Sequence, residues 1–121
     1  MGEIRNFRDL DAWKVGMDLV ELTYRFTTNL PDTERYGLIS QMRRAAVSVP
    51  SNVAEGQGVR APRWTLRFVQ TAIGSVAELE TQMEVAVRLR FVGCEVVGDL
   101  QSVITRERQL LYGIRREKLR S

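Results

Sequence analysis

The residue types behind much of protein chemistry are scarce in this chain of 121 residues, which has no histidine and a single cysteine, Cys94. Zinc sites built from histidine and cysteine are excluded, as are Ser-His and Cys-His nucleophile systems. Carboxylates, arginines and small polar side chains remain. Glu55 and Glu78 can share acid–base work only if both line one pocket, and the sequence suggests no such pocket. A non-enzyme is expected, without catalytic residues, cofactor or metal. The basic residues say more. No acidic residue lies between Glu55 and Glu78, and that span holds Arg60, Arg63 and Arg67 with Trp64 among them. Guanidinium groups pair with phosphates, and an interleaved indole can stack a base. Pro62 suits the first position of a helix, whose free N–H groups favour anions. These four residues are the candidate nucleic-acid-binding set. A basic loop with Trp64 packed on the end of the fold would show the same pattern, and both readings stand.

A second pattern is polar rather than basic. Gln41, Arg44, Ser48, Asn52 and Glu55 follow one another at steps of three and four, which places them on one helical stripe. Arg67, Thr71, Ser75, Glu78 and Gln82 form a counterpart, with Gly74-Ser75 in its middle permitting close helix approach. The stripes use Ser, Thr, Asn and Gln where a solvated face of this chain would carry Arg and Glu. Three readings stay open: a wet face, a subunit or partner interface, and a ligand groove. The candidate interface residues are Gln41, Arg44, Ser48, Asn52, Glu55, Ser75, Glu78 and Gln82. Arg44 and Glu78 are placed to pair, between helices or between subunits.

These residues need elements to hold them, and the apolar periodicity predicts four helices, over about 10–29, 33–56, 62–91 and 95–118. In the first, Leu10, Trp13, Met17, Val20 and Tyr24 recur at helical spacing and predict the core stripe, with Asp9 or Asp11 as cap. Pro31 ends it. Asp32 or Thr33 is the expected cap of the second, whose apolar face is Leu38, Met42, Ala45, Ala46, Val49 and Val53. Pro50 lies inside that helix; it deprives the Ala46 carbonyl of its partner and predicts a kink near residues 46–50, with Ser48 and Asn52 placed to satisfy freed backbone groups. The third helix carries Phe68, Val69, Ala72, Ile73, Val76, Leu79, Met83, Ala86 and Val87 and breaks at Gly93. The fourth uses Val96, Val97, Leu100, Val103, Ile104, Leu111 and Ile114. Cys94 reads as loop filler. With no alternating segment to support a sheet, the fold class expected is all-α: one domain over 1–121, an antiparallel up-down-up-down four-helix bundle.

The net charge is +3, and arginine supplies 16 of the 18 basic residues. That excess fits phosphate recognition and fits a GC-rich genome equally well. No apolar run approaches the roughly 18 residues of a membrane span. The N-terminal MGEIRNFRDLD lacks an apolar signal core, and the lone cysteine suits a reducing compartment, so a cytoplasmic protein is expected.

Three segments, "FRDLDAWK" (7–14), "YGLISQMRRAAVSVPSNVAEG" (36–56) and "GSVAELETQ" (74–82), resemble the four-helix-bundle family of 23S rRNA intervening-sequence proteins. Gln41, Arg43, Arg44, Ser48, Pro50, Asn52, Glu55 and Gly56 match its proline-block motif, and Glu78, Glu80 and Gln82 its third-helix pattern. The family is also similar to the accessory protein of diversity-generating retroelements, which assists a reverse transcriptase. The resemblance implies a non-catalytic bacterial homo-oligomer, a ring of five subunits, with RNA or DNA as partner and no membrane. A protein–protein scaffold serving an enzyme such as a reverse transcriptase is the alternative it implies.

Overall fold

A computed structural model describes residues 6–58 and 61–120. Its four long helices are α1 (Asp11–Thr27), α2 (Leu38–Gly58), α3 (Pro62–Arg88) and α4 (Gly98–Leu119), and three short 3-10 turns precede α1, α2 and α4. Among the described residues there is no strand. Each helix packs on the next, and α1 packs on α4 to close the ring. The pairings give the directions. Gly16 and Thr27 of α1 meet Pro50 and Arg43 of α2, and Ser48 and Gly56 of α2 meet Ser75 and Thr65 of α3. In each pair one number rises as the other falls. Likewise Thr65 and Val69 share a cleft with Ile114, and Met83 and Val87 share one with Val97 and Gln101, so consecutive helices run antiparallel and the bundle is up-down-up-down.

The core is a column of fully buried side chains from all four helices: Leu19, Met42, Val49, Val76, Leu79, Met83, Ile104 and Leu111. Each contributes roughly 1.5–3 kcal/mol by leaving water, against the entropy of ordering the chain. In α1 the stripe differs from the one expected. Ala12, Val15, Gly16, Leu19, Thr23 and Phe26 face inward, Leu10, Trp13 and Val20 sit at the margin, and Met17 and Tyr24 are each 41% exposed. The cause is close approach. A Cβ built on Gly16 would lie 3.2 Å from Pro50 Cβ, so at this crossing α1 presents a glycine to α2.

The helix ends also differ from expectation. Asn6 caps the 3-10 turn before α1: its Oδ1 accepts from Arg8 N at 2.8 Å, and Asp9 Oδ2 accepts from Asn6 N at 3.3 Å. The N-cap of α1 itself is Leu10, without a side-chain bond. Residues Asp32–Glu34 form a separate 3-10 turn, and α2 starts only at Leu38, whose N–H donates to Glu34 Oε1 at 3.1 Å. Glu34, and not Asp32 or Thr33, thus ties down the start of α2. The third helix ends at Arg88, earlier than Gly93. Arg90 turns left-handed (φ 62°) and Phe91 N–H reaches back to Ala86 O at 3.0 Å, closing the helix end. Cys94 is exposed in the 3-10 turn before α4 and fills no core space. Helix α2 runs unbroken through Pro50, and Asn52 Nδ2 donates to Ser48 O at 2.7 Å and to Ser48 Oγ at 3.0 Å beside it.

Candidate functional site

The α2 and α3 stripes meet at their middles. Ser48 Oγ and Ser75 Oγ are 2.8 Å apart and share a hydrogen bond across the two helices. Beside them a cleft of about 320 Å³ is lined by Gln41, Arg44, Ala45, Ser48, Ser75 and Glu78. Five of the eight candidate interface residues therefore line one site. Arg44 and Glu78 both stand at its rim and do not pair within the chain. Asn52 is half-buried and is held by Ser48. Glu55 is exposed about two turns farther along α2 and is not among the cleft's lining residues, so the two carboxylates do not form an acid–base pair. Gln82 is buried, and its Oε1 has no hydrogen-bond partner. Gly74 has no heavy atom within 4 Å of where its Cβ would be, so it serves no close approach within the chain.

The basic set lies at the N-terminal end of α3, about three to four turns before Glu78. Arg63, Trp64 and Arg67 stand on its first two turns, and Arg60 lies outside the described residues. The indole is 44% exposed. The Arg67 guanidinium lies 5.3 Å from its ring centre and that of Arg63 6.0 Å, so two cations flank one aromatic ring. Trp64 thus keeps part of its ring open to solvent, while the rest is covered. Pro62 occupies the start of α3, and Ala61, its N-cap, supplies no side-chain bond to the first N–H groups.

A larger groove runs along α2 from its N-terminal end. It encloses about 630 Å³ and is lined chiefly by Tyr24, Arg35, Tyr36, Arg43, Arg44 and Val47. The Arg43 Nε donates to Thr27 Oγ1 at 3.0 Å, and its guanidinium lies 4.4 Å from the Tyr24 ring centre. The sequence marks Arg43 as a motif residue, Arg44 as a stripe and candidate interface residue, and Tyr24 as core. The signal available was Tyr24's position at the end of the α1 stripe, opposite the start of α2.

Two carboxylates were not singled out by sequence reasoning as distinctive groups. Glu80 faces α4, where Arg108 Nη1 and Nη2 donate to its two oxygens at 2.6 and 3.1 Å and Gln101 Nε2 donates at 2.8 Å. Those bonds, Arg108 first, hold its pKa below the usual carboxylate value. Glu107 is the opposite case. It is 0% exposed, neither oxygen has a hydrogen-bond partner, and a Cβ on Gly16 would lie 2.9 Å from its Oε2. Burial pushes its pKa up to about 8, against a smaller downward pull from Arg106. Its spacing carries the signal: Leu100, Ile104, Glu107, Leu111 and Ile114 continue one stripe at steps of three and four.

Among the described residues, no helix is long and apolar enough to cross a membrane, and no three His, Cys, Asp or Glu side chains gather as a metal would require. The family model described as "23S rRNA-intervening sequence protein" matches residues 8–113. No curated protein matches the chain.

Proposed function

Because the chain belongs to the 23S rRNA-intervening sequence protein family, we propose that it is a non-catalytic, homo-oligomeric protein of the cytoplasm that associates with RNA through a basic surface. The observation that carries this reading is the exposed Trp64 with Arg63 and Arg67 over its ring, in a stretch free of carboxylates. The indole offers a stacking face for an unpaired base, and the guanidinium groups take the adjoining phosphates. Assembly multiplies the field: five copies of a +3 chain carry about +15, enough to steer a polyanion. The unpaired Arg44 and Glu78 at the α2–α3 cleft are the proposed contacts between copies.

The test is a titration of nuclease-treated protein with a ribosomal RNA fragment and an unrelated structured RNA across salt concentrations. The double variant Arg63→Gln/Arg67→Gln is expected to bind about tenfold more weakly. Its salt slope should fall by about 1.4, at roughly 0.7 for each phosphate that a single strand no longer has neutralised. An unchanged slope would remove these residues from the interface. A scaffold for a protein partner, such as a reverse transcriptase, is a second reading. It is favoured by the polar cleft of Gln41, Arg44, Ser48, Ser75 and Glu78, whose mixed donors and acceptors suit a protein surface.

A further inference from the structure

The groove at the start of α2 has a composition that the Trp64 surface only partly shares. Three guanidinium groups, Arg35, Arg43 and Arg44, line it together with the phenol rings of Tyr24 and Tyr36, and no acidic side chain is among its lining residues. None of the three arginines is engaged in an ion pair among the described residues. Asp32 is a neighbouring carboxylate; it lines the adjoining cleft with Arg35 and Arg43 but bonds to neither. Arg43 is held in place by Thr27 and Tyr24, so its terminal nitrogens are oriented before any ligand arrives. Tyr36 is 89% exposed, with Arg35 5.9 Å from its ring centre. A tyrosine so exposed contributes little to folding, because its ring leaves almost no surface buried.

A guanidinium group held in place, a second beside it and one open aromatic ring suit one ligand unit, a phosphate joined to an unpaired planar base. The groove is open along its length and would not enclose a small molecule, which favours a strand passing through over a free nucleotide held within. Duplex RNA keeps its bases stacked and cannot offer one to Tyr36. We propose that this groove is a binding site for single-stranded RNA, with phosphates on Arg35 and Arg43 and a base stacked on Tyr36. The proposal rests on the RNA-associated reading above and adds a second platform to it. Helix α2, about 31 Å long at 1.5 Å per residue, separates this platform from Trp64, so the two can be tested apart.

The experiment measures binding of a labelled single-stranded RNA decamer and of a duplex of equal length, by fluorescence anisotropy across salt. Wild type is compared with Tyr36→Ala, Arg35→Gln/Arg43→Gln and Arg63→Gln/Arg67→Gln, each checked by its melting temperature because Arg43 also bonds Thr27. Tyr36→Ala is expected to weaken single-strand binding about tenfold, the scale of one lost base stack, with the salt slope and duplex binding unchanged. Arg35→Gln/Arg43→Gln is expected to lower the slope by about 1.4. If both groove variants bind the strand as wild type does while Arg63→Gln/Arg67→Gln does not, the groove proposal falls and the Trp64 reading survives. If wild type binds no RNA at low salt, both fall together. Displacement of the decamer by micromolar uridine monophosphate would make the groove a small-molecule site and overturn the strand assignment.

Discussion

Glu107 imposes a cost that depends on protonation. With no partner for either oxygen, its charged form would forfeit hydration without compensation, so the carboxyl stays protonated up to a pKa of about 8. The folded state therefore holds a proton that the unfolded chain releases near the ordinary value of 4.5. Between those values the folded state binds more protons, and stability must fall as pH rises. The full stability contributed by the neutral form is present below about 4.5 and is lost as pH rises through about 8. Glu80 has the opposite sign: its lowered pKa gives stability above the ordinary carboxylate value that is lost on acidification, outside the Glu107 window. The expected outcome is a melting temperature lower at pH 9 than at pH 5 by on the order of 10 °C. Glu107→Gln keeps the shape and removes the titration, so its melting temperatures at the two pH values should agree. A wild-type curve flat across that range would mean that the carboxyl is solvated or paired in solution.

At the scale of elements, glycine separates contact from mere composition. A Cβ on Gly16 would lie 2.9 Å from Glu107 Oε2, 3.2 Å from Pro50 Cβ and 3.4 Å from Pro50 Cα. The carboxylate can move aside, but the proline on α2 cannot. Alanine in place of glycine gains about 1 kcal/mol of helix propensity, yet overpacking costs about 1–3 kcal/mol. Gly16→Ala should therefore destabilise, read as a lower denaturant midpoint. Gly74→Ala meets nothing within 4 Å and should stabilise the subunit by about 1 kcal/mol. The contrast shows how far a sequence can be read. Four helices, their order and most of the cores of α2 and α3 were legible, because those stripes are built from Val, Leu, Met and Ala at regular spacing, with Phe68, Ile73 and Val87 of the expected α3 stripe only half-buried. In α4 the stripe was legible at Leu100, Ile104 and Leu111, while Val103 and Ile114 are only half-buried and the buried Glu107 was missed. The α1 stripe was misplaced because periodicity weighs size. Close packing on Pro50 selects Ala12 and Gly16 and leaves Met17 and Tyr24 outside. The site was legible by half. The meeting of Ser48 with Ser75 follows from two stripes on adjacent helices. The Tyr36 groove depends on the turn before α2, where Glu34 delays the helix start to Leu38, and turn geometry of that kind leaves no periodic signal.

Across the whole molecule, the question is what completes the α2–α3 face. Arg44 and Glu78 line one cleft with opposite charges, both without an ion pair among the described residues. A surface offering a cation and an anion side by side can place its Arg44 against Glu78 of a second copy. If Arg44 of one copy pairs with Glu78 of the next, each subunit contributes both halves and no separate partner is needed. Neither residue is buried in the subunit, so replacing it should leave the melting of the isolated bundle within about 0.5 kcal/mol of wild type. In the assembly the same replacement would set like charges together. Arg44→Glu is therefore expected to move the protein to monomer in gel filtration with light scattering, and Glu78→Arg to do the same. The double variant Arg44→Glu/Glu78→Arg restores opposite charges in reversed order and should reassemble. Recovery in the double variant is the decisive signature, because two independent surface defects would add and would not cancel. An assembly indifferent to both single reversals would move the contact between copies away from this cleft and leave Arg44 to the tyrosine-lined groove that it also borders.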